Sequence, residues 1–478
     1  MVIGLDLGTT SVKALAVGEG GEVLARAGGG YALHSSPEGE ATQDAGEVVR
    51  VALAALEDLA AQLQGVNVRA SVRAIVPSAA MHSLVLVGES GEVLAPALTW
   101  ADTRSAETLG RLYAVLDATD CYARTGCPLQ APYHPARLWW LSRTKPELFA
   151  RAARFVSLTD LLLHRLTGKW ATSVGLASTT GLWNLHSATW DLSVLSVLGV
   201  VEGQLPTVLD AREVVGTVQA GLLARTPVLA GSSDGALANL GTGALLGETV
   251  VTVGTSGAVR TLSGTPRLDP HARTWSYRLD LTTHLSGGAI NNGGLLLDWV
   301  RRGWYSELDT REGFARLFAD AGSVPAGAGG LTLLPYLTGE RSPSWRDDLS
   351  ATLHGLKLPH GRTQVARAAL EAVAFSLAQV WDLMGGEAVY STGGLAASPL
   401  WNGLLAEVLG VPVRVAESAD ASAIGAALLG HDDAALQTVR RRAQKAASVQ
   451  PVSENAALLL AAKQRWQALY ARLYETQS

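Results

Sequence analysis

Cysteine is nearly absent: 478 residues contain two, Cys121 and Cys127. Two thiols cannot staple so long a chain, so both are expected as reduced core residues. No Cys/His set has zinc spacing. No apolar run reaches the ~18 residues that a membrane span needs. No charged and then apolar leader precedes the first strand, so a cytoplasmic protein without membrane contact is expected. An excess of positive charge is also missing. The 38 Lys and Arg stand against 43 Asp and Glu, a net charge of −5. A general nucleic-acid binder would need a concentrated basic face, so that class is disfavoured. What is plentiful is apolar surface, 48% of residues. That suffices for two large domains, expected at 1–245 and 246–478.

The chain opens with a strand, Val2 to Leu5, and then Asp6-Leu7-Gly8-Thr9-Thr10-Ser11-Val12-Lys13. Gly8 lets backbone approach a ligand closely, since no Cβ intervenes. Thr9, Thr10 and Ser11 bring hydroxyls and N–H groups, and Lys13 a positive charge. These are parts suited to phosphate oxygens and a hydrated Mg²⁺. Residues 249–260, Thr-Val-Val-Thr-Val-Gly-Thr-Ser-Gly-Ala-Val-Arg, repeat the pattern. Two similar halves facing a shared ligand would explain the echo.

Between these motifs the chain alternates strand and helix signals. Residues 12–17 and 22–27 flank Gly18–Gly21 as a hairpin. Asp44 suits a helix N-cap with Glu47 reaching back, and Val48 to Leu63 follow with helical period. A strand is expected at Val72–Val76 and a hairpin through Gly88–Gly91. Val365 to Met384 read as a long helix ended by Gly385-Gly386. Ala388 to Gly394 read as a strand entering a Gly-Gly turn. Ser398 and Pro399 then suit N-cap and first helical position, and Val411–Val415 the next strand. From about Asp432 the tail is expected to form surface helices, with Arg440–Arg442 a solvated face.

The Asp-x-Gly-Thr-Thr loop, its echo and the late Gly-Gly turn resemble the ATPase fold of sugar kinases, actin and Hsp70-type chaperones. Met81-His82, Trp100-Ala101-Asp102-Thr103-Arg104, Gly231-Ser232-Ser233-Asp234-Gly235, Gly339-Glu340-Arg341-Ser342-Pro343 and Thr392-Gly393-Gly394 narrow this to a resemblance to the FGGY carbohydrate kinase family. Within it the motifs look most like the gluconokinase branch, with xylulokinases next. The resemblance implies an α/β chain of two ribonuclease-H-like domains, with mixed sheets flanked by helices and an interdomain cleft. It implies ATP and Mg²⁺ as cofactors and a small sugar or sugar acid as partner, and leaves a homodimer open. Arg137 is a departure, because the family usually has Lys before the aromatic pair.

Residue roles follow from the resemblance and the chemistry. Asp234 is the expected base that takes a proton from the attacking sugar hydroxyl; an N-cap for the helix at 235–240 is the alternative. Asp6 would hold Mg²⁺ through water. Gly8, Thr9, Thr10, Ser11 and Lys13 would meet phosphates from one domain, and Gly254 and Thr255 from the other. Gly294, Gly393, Gly394 and Ser398 would lie on the nucleotide side; glycines kept for helix-entry geometry are the alternative. Met81, His82, Trp100, Asp102, Arg104 and Asp234 would surround the sugar. Arg104 would fork onto a sugar-acid carboxylate, unless it and Asp102 pair with each other. The expected reaction carries the γ-phosphate of ATP to a terminal hydroxyl, with gluconate as acceptor and xylulose as the alternative. A non-enzymatic ATP-binding protein of the actin/Hsp70 fold is the rival class, and the sugar motifs argue against it.

Overall fold

A computed structural model describes residues 1–63, 71–418 and 420–475. The chain forms two compact units. The first comprises Met1–Leu246, Leu262–Ser286 and Asp420–Gln444; the second comprises Gly247–Thr261, Gly287–Ala419 and Lys445–Ser478. Two stretches far along the sequence thus pack with the N-terminal half.

The first unit is built on a mixed sheet. Strands β1 (Val2–Leu7), β2 (Ser11–Val17) and β3 (Val23–Gly30) form an antiparallel meander. On its other side β1 runs parallel to β4 (Ile75–Ala79). Strands β5 (Val214–Thr217) and β6 (Pro227–Leu229) extend the sheet, in the order β5-β6-β4-β1-β2-β3. A short β7 (Ser232–Ser233) also pairs with β4. Register does the functional placing. Asp6 lies opposite Lys13 on β2 and opposite Ser78 on β4, and Ser78 lies opposite Ser232. Asp6 and Asp234 are thereby brought to one end of the sheet. That is the carboxyl end of the parallel strands, where α/β sheets bind ligands.

The expected strand at Val72–Val76 is displaced: β4 starts at Ile75 and continues through Pro77 to Ala79. Pro77 inside the run is the reason, since proline argues against an inner strand. Pairing with β1 decides the matter instead.

Helices cover the sheet. In α1 (Ala45–Gln62), Asp44 caps the first turn by accepting from the Glu47 N–H at 3.0 Å. The N-terminal face of α1 buries Val48, Val49, Ala52 and Leu56, the spacing its sequence shows. Helices α2 (His134–Thr144) and α3 (Leu158–Thr167) follow, then α4 (Asp234–Gly241) directly after β7.

The second unit repeats the opening arrangement. Strand β8 (Thr249–Val253) returns antiparallel as β9 (Gly257–Ser263) through the turn 254–256. Strand β10 (His284–Ile290) begins in the first unit and ends in the second. With β11 (Val389–Thr392), β12 (Val413–Val415) and β13 (Ser448–Val449) the order is β10-β9-β8-β11-β12-β13. Strand β8 is parallel to β11, as β1 is to β4. Helix α5 (Gly294–Trp304) follows β10, and α6 (Arg362–Met384) ends at Gly385 as its sequence indicates. Ser398 caps α7 (Pro399–Leu409), accepting from the Trp401 N–H at 3.3 Å.

The tail departs from a mere surface layer. Helix α8 (Ala421–Gly430) packs face to face on α4, with backbones nearly touching. Helix α9 (Asp433–Lys445) buries Ala435, Leu436 and Val439, while Arg441 and Arg442 stay exposed. Helix α10 (Ser453–Tyr474) puts Trp466 in the second unit's core, its indole N–H donating to Leu333 O at 2.9 Å. Both cysteines are buried and free. No helix among the described residues is long and apolar enough to cross a membrane.

Candidate active site

The Gly8–Ser11 turn is held from behind. Gly8 N–H donates to Ser11 O at 3.0 Å and Tyr31 N–H to Thr10 O at 3.1 Å. The Tyr31 hydroxyl donates to Gly8 O, and the Gln43 amide to Thr9 O. Trp100 Nε1 donates to Thr9 Oγ1 at 3.1 Å. The carbonyls of Gly8, Thr9 and Thr10 are therefore all occupied by neighbours. The loop's shape is fixed in advance, as a phosphate cradle requires.

Beside it sit two carboxylates. Ser78 Oγ donates to Asp6 Oδ1 at 2.7 Å. Burial nevertheless pushes the Asp6 carboxyl up to about 7, against that bond and the Lys13 charge, and the negative charge of Asp234 adds to the rise. Asp234 is the first residue of α4, and its Oδ1 accepts from Gly235 N–H at 2.6 Å. Ser233, not Asp234, occupies the N-cap position, so the capping alternative is corrected: β7 pairs through Ser233 and the helix starts at Asp234, one residue earlier than expected. Lys13 Nζ lies 2.8 Å from Asp420 Oδ1, just before α8.

The expected sugar residues lie in the same unit. Met81 and Trp100 share one recess with Gly8, Thr9, Tyr31 and Gln43. His82 has a φ of 67°, and its ring meets Tyr133 edge-on at 4.9 Å between centroids. The Tyr133 hydroxyl pairs with that of Tyr277 at 2.7 Å. Asp102 and Arg104 are paired with each other: Arg104 Nη2 donates to Asp102 Oδ2 at 2.7 Å, and its Nε reaches both oxygens at 3.1 Å. Asp102 is buried and also accepts from Ala41 N–H at 3.1 Å. Arg104 in addition lies 5.0 Å from the Trp140 ring centre.

Arg137 has a role that the sequence did not reveal. It is 1% exposed, and its two terminal nitrogens donate to His82 O and Thr99 O. One guanidinium thus ties together the two loops that carry His82 and Trp100. The signals at hand were a charged residue directly before the buried run Leu138–Leu141 and its departure from the family's usual Lys.

The residues of the second unit expected on the nucleotide side also converge. Gly294 N–H donates to Gly254 O at 2.8 Å and Leu295 N–H to Thr255 O at 3.0 Å. A Cβ on Gly294 would lie 2.6 Å from Gly254 O. Gly393 has a φ of 87°, and a Cβ there would lie 2.5 Å from Val253 O. These glycines are required for the backbones to meet. Gly394 begins the short 3₁₀ turn Gly394–Ala397, and the hydroxyl of Ser398 is engaged as the α7 cap.

Residues 1–241 match the N-terminal domain of the FGGY family of carbohydrate kinases, and residues 249–431 its C-terminal domain. The chain belongs to the FGGY family of carbohydrate kinases. It is thus an ATP-dependent sugar phosphotransferase with the ribonuclease-H-like domains of that family. This FGGY kinase is 32% identical over 448 residues to a gluconokinase of Bacillus subtilis (strain 168), covering 90% of this chain and 86% of that one. Its structure matches that of a gluconate kinase from Lactobacillus acidophilus with a TM-score of 0.90 and 28% identity, covering 100% of this chain and 99% of the other. A ligand-bound xylulose kinase from the same organism matches at 0.91 and 28%, with the same coverage.

Proposed function

We propose that this FGGY kinase transfers the γ-phosphate of ATP to the terminal hydroxyl of gluconate, giving 6-phosphogluconate. The observation that carries the chemistry is the meeting of Asp234 and Asp6 beside the Gly8–Ser11 loop. Asp234 accepts the proton of the C6 hydroxyl as that oxygen attacks phosphorus. The O–Pγ bond forms, the bond from Pγ to the β–γ bridging oxygen breaks, and ADP leaves. Thr9, Thr10 and Ser11 turn N–H and hydroxyl groups to phosphate oxygens, Gly8 lets the backbone come close to them, and Lys13 lies nearby. Within the second unit, Gly254, Thr255, Gly294, Gly393, Gly394 and Ser398 are the proposed nucleotide contacts. Phosphoryl transfer is mainly positioning and charge stabilisation, which loops pinned in this way supply.

Mg²⁺ fits the residues present. Asp6, whose carboxyl is raised by burial and by the nearby negative charge of Asp234, suits a divalent cation. No cluster of three or more ligating side chains occurs among the described residues. Mg²⁺ needs none, since it takes one or two carboxylates plus phosphates and waters. Asp6 would hold it through water, and the ion would neutralise phosphate charge.

Around the sugar, Met81, His82 and Trp100 provide the wall and a polar donor. Asp102 acts through Arg104, which must exchange one of its partners to reach a carboxylate. Gluconate is preferred on the 32% identity to the gluconokinase of Bacillus subtilis; the xylulose kinase of Lactobacillus acidophilus, as similar at 28% as the gluconate kinase of that organism, keeps xylulose as the second reading. A coupled ADP-release assay against gluconate, xylulose, ribulose, glycerol and fuculose tests the choice. Gluconate should give the highest kcat/KM. Efficient turnover of xylulose with none of gluconate would overturn the acceptor and leave the kinase. Absence of turnover with every sugar would favour a non-enzymatic ATP-binding protein.

A further inference from the structure

We propose that Glu340 and Arg341 are positioning residues for the turn Asn291–Gly294, and through it for the phosphate loop at Gly254-Thr255. This rests on the reading of that turn as a nucleotide contact.

The geometry is a strap of five residues within the second unit. Glu340 is 2% exposed. Its Oε1 accepts from Asn291 N–H at 2.5 Å and from Arg341 N–H at 2.9 Å. Arg341 Nε donates to Asn291 Oδ1 at 2.7 Å, and its Nη2 to Ile290 O at 3.2 Å. On the other flank Asn291 Nδ2 donates to Thr338 O at 3.0 Å, and Asn292 Nδ2 to Gly339 O at 2.9 Å. Ser342 N–H closes the strap on Ala289 O at 3.0 Å. Residues 289–292 are thus gripped along backbone and side chains. Beyond Gly293, the N–H groups of Gly294 and Leu295 donate to Gly254 O and Thr255 O. Hydrogen bonds thus hold strap to turn and turn to loop, with the backbone at Gly293 joining the two sets.

A buried carboxylate is a costly way merely to fill space. Burial pushes Glu340 up to about 7, against its two N–H bonds and Arg341. What the carboxylate supplies is an acceptor for two N–H groups, one of them at the mouth of the turn. A loop that meets phosphate oxygens must hold its place to within about 0.5 Å. This buried acceptor fixes the turn to that standard. None of these residues needs to touch the nucleotide.

The test is calorimetric titration of the full chain with ADP, without sugar, well below each variant's melting temperature. Glu340→Ala and Arg341→Met should each weaken ADP binding about fivefold or more, as displaced positioning groups do. Glu340→Gln should stay within about twofold of wild type, because its amide oxygen still accepts hydrogen bonds. Gly294→Ala reports on the underlying reading. If Gly294→Ala weakens ADP binding while Glu340→Ala and Arg341→Met leave it unchanged and lower only the melting temperature, the strap is structural and the proposal fails. If Gly294→Ala also binds ADP as wild type does, the nucleotide reading of the turn fails and takes the proposal with it. Should Glu340→Ala not fold, Arg341→Met and Glu340→Gln decide on the same criteria.

Discussion

Gly425→Ala should damage both stability and turnover, and the structure sets the scale. Gly425 lies inside α8, where it crosses α4. A Cβ there would sit 1.8 Å from Leu237 O, 2.6 Å from its carbonyl carbon and 3.0 Å from Gly241 N. All three are backbone atoms, so no rotamer change relieves the overlap. Reaching an ordinary contact requires α4 and α8 to part by roughly 1.5 Å, and overpacking of this kind costs about 1–3 kcal/mol or more. Helix α8 is packed as tightly at two further points, once more on α4 and once on β1. A Cβ on Gly241 would lie 1.9 Å from Ala421 O, and one on Gly4 would lie 1.9 Å from Ala423 O. Helix α4 carries Asp234 in its first turn and β1 carries Asp6 near its end. A shift of about 1 Å at reacting groups costs on the order of 100-fold in rate. Gly403→Ala is the matched control. It too is a helical glycine, in α7, but a Cβ there meets nothing within 4 Å. That exchange should stabilise the protein by about 0.5–1 kcal/mol, the usual gain for Ala over Gly in a helix. The assay is thermal unfolding together with kcat for both variants. Equal melting temperatures and equal kcat in Gly425→Ala and Gly403→Ala would refute the reasoning.

Further expectations concern the loops of His82 and Trp100 and the pH dependence. Arg137→Met removes both donors to His82 O and Thr99 O; KM for the sugar should rise about tenfold, since a charged hydrogen bond is worth about 1.5–3 kcal/mol, while ADP affinity is unchanged. An unaltered sugar KM would show that the two loops do not depend on it. Asp160 in the first turn of α3 accepts from Ser157 N–H at 2.6 Å, yet burial raises its carboxyl from 3.8 to about 6. The folded state therefore holds the proton more tightly than the unfolded chain. This contribution is complete below the unfolded pKa and is lost as pH rises through 6; a rise of this size corresponds to about 3 kcal/mol. Asp160→Asn should abolish that slope in denaturant unfolding between pH 4 and 6.5, and parallel wild-type and variant curves would contradict it.

The legible parts of the molecule were those encoded locally. The β1–turn–β2 unit shows as an apolar run broken by Gly8 and hydroxyl residues. Its repeat at β8–β9 shows in the same way, and the family motifs gave the two-domain α/β class. What stayed hidden depends on partners distant in sequence. Strand β4 was obscured by Pro77, and only its parallel pairing with β1 places it. The Arg137 fork spans 55 residues to His82 and 38 to Thr99, so no short pattern reveals it. The mutual pairing of Asp102 and Arg104 was left open by a two-residue spacing that suits either reading. The tail looked like a surface layer because its helices are amphipathic; that Trp466 enters the second core follows from tertiary packing.

The central claim is that Asp234 takes the proton of the sugar hydroxyl while the nucleotide is held by other residues. Asp234→Asn tests it most directly, assayed with ATP and the best acceptor of the sugar panel, with ADP affinity measured on the same sample. Turnover should fall on the order of 1,000-fold, within the range that general-base removal produces, with ADP binding within about twofold of wild type. Turnover near the wild-type rate in that variant would contradict the account.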